Sequence, residues 1–108
     1  MKEYNIEITE PAQQDLLSIV LYIRDVLQEP KIALGILRTL RDEIEGLCRM
    51  PERYPLWEDE PWHSQGLRKM VVKKYVVLYL VEQQSQTVQI VRVFYGGRDI
   101  AAQLQEQI

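Results

Sequence analysis

The fold is decided by the run Leu67-Arg68-Lys69-Met70-Val71-Val72-Lys73-Lys74-Tyr75-Val76-Val77-Leu78-Tyr79-Leu80-Val81-Glu82-Gln83-Gln84-Ser85-Gln86-Thr87-Val88-Gln89-Ile90-Val91-Arg92-Val93-Phe94-Tyr95. It divides into three segments rich in Val, Ile and Tyr, at Leu67–Lys73, Tyr75–Glu82 and Val88–Tyr95, and these residue types favour pleated strands. Gln83–Gln86 is a polar hairpin turn between the last two, and Gly96-Gly97 ends the sheet. Working backwards, Pro51, Pro55 and Pro61 punctuate an irregular stretch from Pro51 to Gln65. Before it, Ala33, Leu37, Leu40, Ile44 and Leu47 recur at helical steps, opposite Arg38, Arg41, Asp42 and Glu45. Another stripe, Ala12, Leu16, Ile19, Ile23 and Leu27, precedes it, with Thr9 as N-cap and Pro11 in the first turn. The short joint Gln28–Pro30 makes the two helices an antiparallel hairpin.

Tyr4, Ile6 and Ile8 alternate with polar residues as a first short strand, and Asp99 can cap a last helix through Leu104. The predicted order is β-α-α-β-β-β-α. This is an α+β fold in which a helical hairpin packs on one face of a small, mainly antiparallel sheet. The other face and the rim are then expected to be free for function. With 108 residues and no linker, repeat or low-complexity stretch, residues 1–108 are expected to form one domain.

Composition narrows the function classes. The lone cysteine, Cys48, excludes an internal disulfide framework and suits a reducing compartment. Residues Met1–Glu7 are too polar for the apolar segment of a signal peptide, and no apolar run approaches a membrane span, so a cytoplasmic protein without membrane contact is expected. One His and one Cys cannot make a metal site, and no phosphate loop or nucleophile elbow is present. No cofactor is expected. His63 can be a general base but reads more simply as a solvated loop residue. Trp57 and Trp62 can stack on bases or meet a partner, and the favoured reading is that they fold the proline-rich segment back over the helices.

The net charge is −3, but it is unevenly spread. From Gly66 to Arg98 there are six basic residues against one acid, Glu82, whereas residues 1–65 carry seven basic and thirteen acidic side chains. Such asymmetry can serve an anionic ligand, or the lysines can simply solubilise sheet edges. The basic set is Arg68, Lys69, Lys73, Lys74, Arg92 and Arg98. Arg92 stands among Val88, Ile90 and Phe94 at strand spacing, so it needs either an internal carboxylate or an open surface. Together these cations can clamp a phosphate and stabilise charge developing on it.

The chain resembles the RelE/ParE superfamily of type II toxin–antitoxin toxins, also called plasmid-stabilisation proteins. The likeness is carried by Ala12 to Ile23, by Met50-Pro51-Glu52-Arg53-Tyr54-Pro55, by Gly66 to Tyr75 with Leu78-Tyr79, and most specifically by Val91-Arg92-Val93-Phe94-Tyr95-Gly96-Gly97-Arg98-Asp99. It runs from residue 4 to about residue 104. The resemblance implies one of two activities. RelE-like members cut messenger RNA (an mRNA interferase activity) in the ribosomal A site, where the RNA's own 2′-OH attacks the phosphate. Few conventional catalytic residues are then needed. ParE-like members block DNA gyrase and have no catalytic site.

Arg98 matches the arginine that contacts the scissile phosphate in the nucleases, and Arg68 and Lys69 fall in the strand that carries their lysines. Two positions depart from the nuclease pattern: Val76 stands where a second arginine is placed, and Leu104 replaces a tyrosine of the C-terminal helix. The leading expectation is ribosome-dependent mRNA cleavage, with Arg98, Tyr95 and Lys69 as catalytic residues and Arg68, Lys73, Lys74 and Arg92 holding RNA. The alternatives are a gyrase inhibitor, or a degenerate toxin that only binds its antitoxin. The resemblance also implies a cognate antitoxin lying across the helices and sheet, with the apolar stripes and Trp57 or Trp62 as contacts.

Overall fold

The computed structural model describes residues 3–96 and 100–107. The elements follow the expected order: β1 (Asn5–Ile8), α1 (Glu10–Leu21), α2 (Pro30–Glu45), β2 (Arg68–Val72), β3 (Tyr75–Glu82), β4 (Thr87–Tyr95) and α3 (Ile100–Gln107). The sheet runs β1-β4-β3-β2, with β1 parallel to β4 and the other pairs antiparallel. Thr9 caps α1 as its residue type predicts: its Oγ1 accepts from the Ala12 N–H at 3.3 Å. Pro30 occupies the first turn of α2, where its missing N–H costs nothing.

The helical stripes do the covering. Ala12, Leu16, Leu40, Ile44 and Leu47 pack on Met70, Val77, Tyr79, Val88, Ile90 and Val93 from the sheet. Tyr79 is fully buried in that core, so its hydroxyl needs a partner. It donates to the Pro51 carbonyl at 2.6 Å and ties the irregular segment to the sheet. Burial pushes the Tyr79 phenol up to about 12.

The second face of the sheet is not free, contrary to expectation. Leu67, Leu78 and Phe94 meet Ile100 and Leu104 of α3 together with Trp57, while Trp62, Val76 and Leu80 pack around them. The tryptophans therefore fold the proline-rich segment over this face of the sheet rather than over the helices. The same segment covers the β2 edge: the Trp57 N–H donates to the Leu67 carbonyl at 2.7 Å and the Lys69 N–H to the Pro55 carbonyl at 3.0 Å.

A bulge in β4 decides which way the last residues of that strand face. The β3–β4 register passes from Leu78↔Arg92 to Tyr79↔Ile90, leaving Val91 as the extra residue. Alternation therefore reverses there. Val88 and Ile90 face the helices, as does Val93, whereas Phe94 joins the opposite cluster. The expected single face holding Val88, Ile90, Arg92 and Phe94 does not exist. β1 also ends at Ile8, opposite Ile90, so the edge of β4 beyond it has no neighbouring strand. The start of α1 takes that place. The Thr9 N–H donates to the Ile90 carbonyl and the Thr9 hydroxyl to the Val91 carbonyl, both at 3.1 Å, and the Val93 N–H donates to the Asp15 carboxylate at 2.9 Å.

Candidate functional site

Where α1 runs out, a groove of about 1180 Å³ opens between the helical hairpin and the far ends of β3 and β4. Its helical wall is mainly apolar, with Tyr22, Ile23, Leu27, Ile32 and Ile36 beside Asp15 and Ser18. Its sheet wall holds Lys73, Lys74, Tyr75 and Tyr95. The lysines form the two-residue turn between β2 and β3, and the turn is firmly held. Lys73 takes a left-handed φ of 55°, and the Gly96 N–H donates to the Lys74 carbonyl at 2.8 Å. A Cβ at residue 96 would lie 3.1 Å from that carbonyl oxygen, a tight contact that the turn could relieve only by giving way a few tenths of an ångström, so the close approach suits glycine. Tyr75 and Tyr95 stand edge to face, with ring centroids 5.9 Å apart. Desolvation, and secondarily Tyr95, raises the Tyr75 phenol above its ordinary value.

The expected cations separate into two groups. Lys73, Lys74 and Tyr95 come together at the groove. Arg92 also lines it, but its guanidinium is held within the fold: Nε and Nη2 donate to the two Asp15 carboxylate oxygens at 2.7 and 2.8 Å, with side chains only 11% and 14% exposed. Its Cζ sits 4.6 Å from the centre of the Phe94 ring. The remaining nitrogen, Nη1, is buried and has no hydrogen-bond partner among the described residues. Of the two environments that its strand position left open, an internal carboxylate or an open surface, Arg92 has the first.

Arg68 and Lys69 lie at the other end of β2, beside the proline-rich segment. Arg68 Nη1 donates to the Tyr54 and Glu52 carbonyls at 2.7 and 3.2 Å, and Nη2 lies 3.6 Å from the Glu52 carboxylate. Lys69 pairs with Glu58 and stands 5.2 Å from the Trp57 ring centroid. That pairing holds the Glu58 carboxyl below its ordinary value. Both residues fasten the segment to the sheet. Arg98 lies outside the described residues. His63 Nδ1 is 2.9 Å from the Trp57 carbonyl, an arrangement that braces the loop. No group of three or more His, Cys, Asp or Glu side chains suited to a metal occurs among the described residues.

Asp15 was not singled out from the sequence, although a signal for it exists. It lies three residues after Ala12 and four before Ile19, so it shares a face with the apolar stripe, where an acid needs a cationic partner. Of the helical wall, Ile23 and Leu27 belong to the apolar stripe expected to meet a partner, whereas Tyr22, Ile32 and Ile36 lie outside both stripes. Leu27 belongs to the α1 stripe by spacing, yet it is 52% exposed. Residues Tyr22–Val26 form a π-helical turn, which adds one residue and rotates everything after it.

The family model for the ParE toxin of the type II toxin–antitoxin system parDE matches residues 6–100. The chain belongs to the ParE toxin family. It is the toxin of a type II toxin–antitoxin system. Three solved structures share the fold at low identity. The chromosomal ParDE system from P. aeruginosa has 20% identity over 86% of this chain and 96% of that chain, with a TM-score of 0.70. The toxin–antitoxin complex RelBE2 from Mycobacterium tuberculosis has 22% identity over 88% and 93%, with a TM-score of 0.63. A double-arginine mutant of E. coli toxin RelE in the free state has 11% identity over 98% and 99%, with a TM-score of 0.66. No curated protein matches the chain in sequence. No helix among the described residues is long and apolar enough to cross a membrane.

Proposed function

We propose that this ParE-family toxin poisons the cell by binding a protein, with DNA gyrase as the target, and does not cut RNA. The observation that carries the reading is the fate of the cations. Three of those expected to act on RNA, Lys69 as a catalytic residue and Arg68 and Arg92 as phosphate holders, are engaged within the fold: Arg68 by Glu52 and the Tyr54 carbonyl, Lys69 by Glu58, and Arg92 by Asp15. A phosphate arriving at these groups would have to displace the Glu58 carboxylate from Lys69, the Asp15 carboxylate from Arg92, and the Tyr54 and Glu52 carbonyls from Arg68. Val76 and Leu104, at the positions where the nucleases place arginine and tyrosine, pack in the apolar cluster of the second sheet face. The match to the ParE family model points the same way.

The test is a supercoiling assay with purified gyrase, run beside primer extension on ribosome-bound messenger RNA. Loss of supercoiling with uncut RNA is expected. RNA cleavage in the A site is the second reading, and one observation favours it: Lys73, Lys74 and Tyr95 converge at one end of the sheet, and Tyr95 precedes Arg98 by only three residues. Cut RNA with normal supercoiling would establish it.

The cognate partner is a protein antitoxin that meets the toxin in the cytoplasm. The groove suits a segment with an apolar face for Tyr22, Leu27 and Ile32 and with carboxylates for Lys73 and Lys74. Trp57, which is buried, is replaced as a contact point by these groove residues. Co-purification with the protein encoded by the adjoining gene tests this partner directly.

A further inference from the structure

One irregularity in the chain lies at the groove's apolar wall. α1 ends at Leu21, and its continuation does not keep the α repeat: the Leu27 N–H donates to the Tyr22 carbonyl, five residues back, at 3.1 Å. The Glu29 N–H reaches the Ile23 carbonyl at 3.0 Å. In an uninterrupted α-helix, Leu27 would follow Ala12, Leu16, Ile19 and Ile23 into the core. One inserted residue turns everything after it by about 100° relative to that stripe. The result is visible at Leu27, which is 52% exposed although Ile23, one turn earlier in the same stripe, is buried; Tyr22, at the start of the turn, is 55% exposed, and both Tyr22 and Leu27 line the groove.

We infer that the π-helical turn Tyr22–Val26 is a groove-building insertion, which takes Leu27 out of the core and sets it with Tyr22 as the apolar wall against which the antitoxin segment binds. This rests on the antitoxin reading above. A large alkyl side chain left in water forgoes its burial energy, so a turn that exposes Leu27 next to Tyr22 gains nothing for the free toxin. The benefit appears when a partner covers them. Lys73 and Lys74 on the facing wall, in a chain of net charge −3, give the groove a sign that selects a partner segment with acidic side chains.

The insertion can be removed. Arg24 and Asp25 are solvent-exposed and bond to each other at 2.6 and 2.9 Å, so deletion of Asp25 removes a residue without disturbing the core. In the deletion variant the helix regains its α repeat. Leu27 methyl groups then show NMR contacts to the core, thermal stability holds or rises, and affinity for the adjoining gene's product falls at least tenfold by calorimetry.

Point variants cover the case in which the deletion variant does not fold. Tyr22→Ala and Leu27→Ala should each weaken binding at least fivefold at unchanged melting temperature. Leu17→Ala, at a residue equally exposed (51%) but away from the groove, should leave affinity within twofold. Undiminished binding by Tyr22→Ala and Leu27→Ala overturns the inference while the antitoxin reading stands. Failure of the unaltered toxin to bind the adjoining gene's product overturns that reading and the inference with it.

Discussion

Replacing Asp15 by alanine should destabilise the toxin more than any surface substitution of comparable size. Asp15 accepts three hydrogen bonds, two from Arg92 and one from the Val93 N–H, and it joins α1 to the part of β4 that has no strand beside it. The pair is nearly buried, so solvent screens it little. Breaking such a pair from one side costs about 3–5 kcal/mol, because the guanidinium left behind has lost both water and partner. In a domain of this size that is a large fraction of the roughly 5–15 kcal/mol that separates folded from unfolded. The companion Arg92→Met leaves a carboxylate still bonded to the Val93 N–H and should cost less. The double variant, Asp15→Ala with Arg92→Met, removes both charges and should recover at least about 1–2 kcal/mol relative to Asp15→Ala. Urea denaturation at fixed pH measures all four proteins. Asp15→Ala within about 1 kcal/mol of the unaltered chain would show that the pair does not hold α1 to β4, and a double variant no more stable than Asp15→Ala would show that the unpaired guanidinium carries no cost. The double variant also separates structure from function: if Arg92 holds Asp15 and no phosphate, the folded double variant should be as toxic as the unaltered chain when induced in a bacterium.

Further outcomes are expected elsewhere in the molecule. Gly96→Ala places a methyl group against the Lys74 carbonyl and should cost about 1–3 kcal/mol in the same urea assay. The raised Tyr79 phenol makes stability fall in alkali. Because its folded value of about 12 exceeds the unfolded value near 10, its contribution is complete below pH ~10 and is lost as pH rises toward ~12. Tyr79→Phe should lose this pH dependence and about 1–3 kcal/mol through the unpaired Pro51 carbonyl, both readable in urea titrations across pH. Charge reversal by Lys73→Glu with Lys74→Glu should weaken the antitoxin complex at least tenfold without lowering the melting temperature, measured by calorimetry and thermal scanning.

Much of the fold was legible because its signals are local. Thr9 and Pro30 mark helix starts by chemistry that does not depend on distant contacts. Tyr75–Glu82 forms a strand with the very limits its composition marks out. Two features were hidden because each depends on one extra residue. The bulge at Val91 reverses the facing of Arg92 and Phe94 relative to Ile90, and nothing in Val91 itself announces it. The π-helical turn removes Leu27 from a stripe to which its spacing assigns it. The site was less legible than the fold. A sequence shows that Arg68, Lys69 and Arg92 are cations, but whether Glu52, Glu58 and Asp15 reach them is a matter of packing between distant segments. Arg98, the residue on which the RNA reading leans most, lies outside the described residues.

Pulse-labelling after inducing the chain alone in a bacterium distinguishes a toxin that acts on gyrase from one that acts on the ribosome. Thymidine incorporation should fall first while amino-acid incorporation continues, as expected when gyrase is blocked. An early fall in amino-acid incorporation, with DNA synthesis continuing, would rule out gyrase and move the site of action to the ribosome.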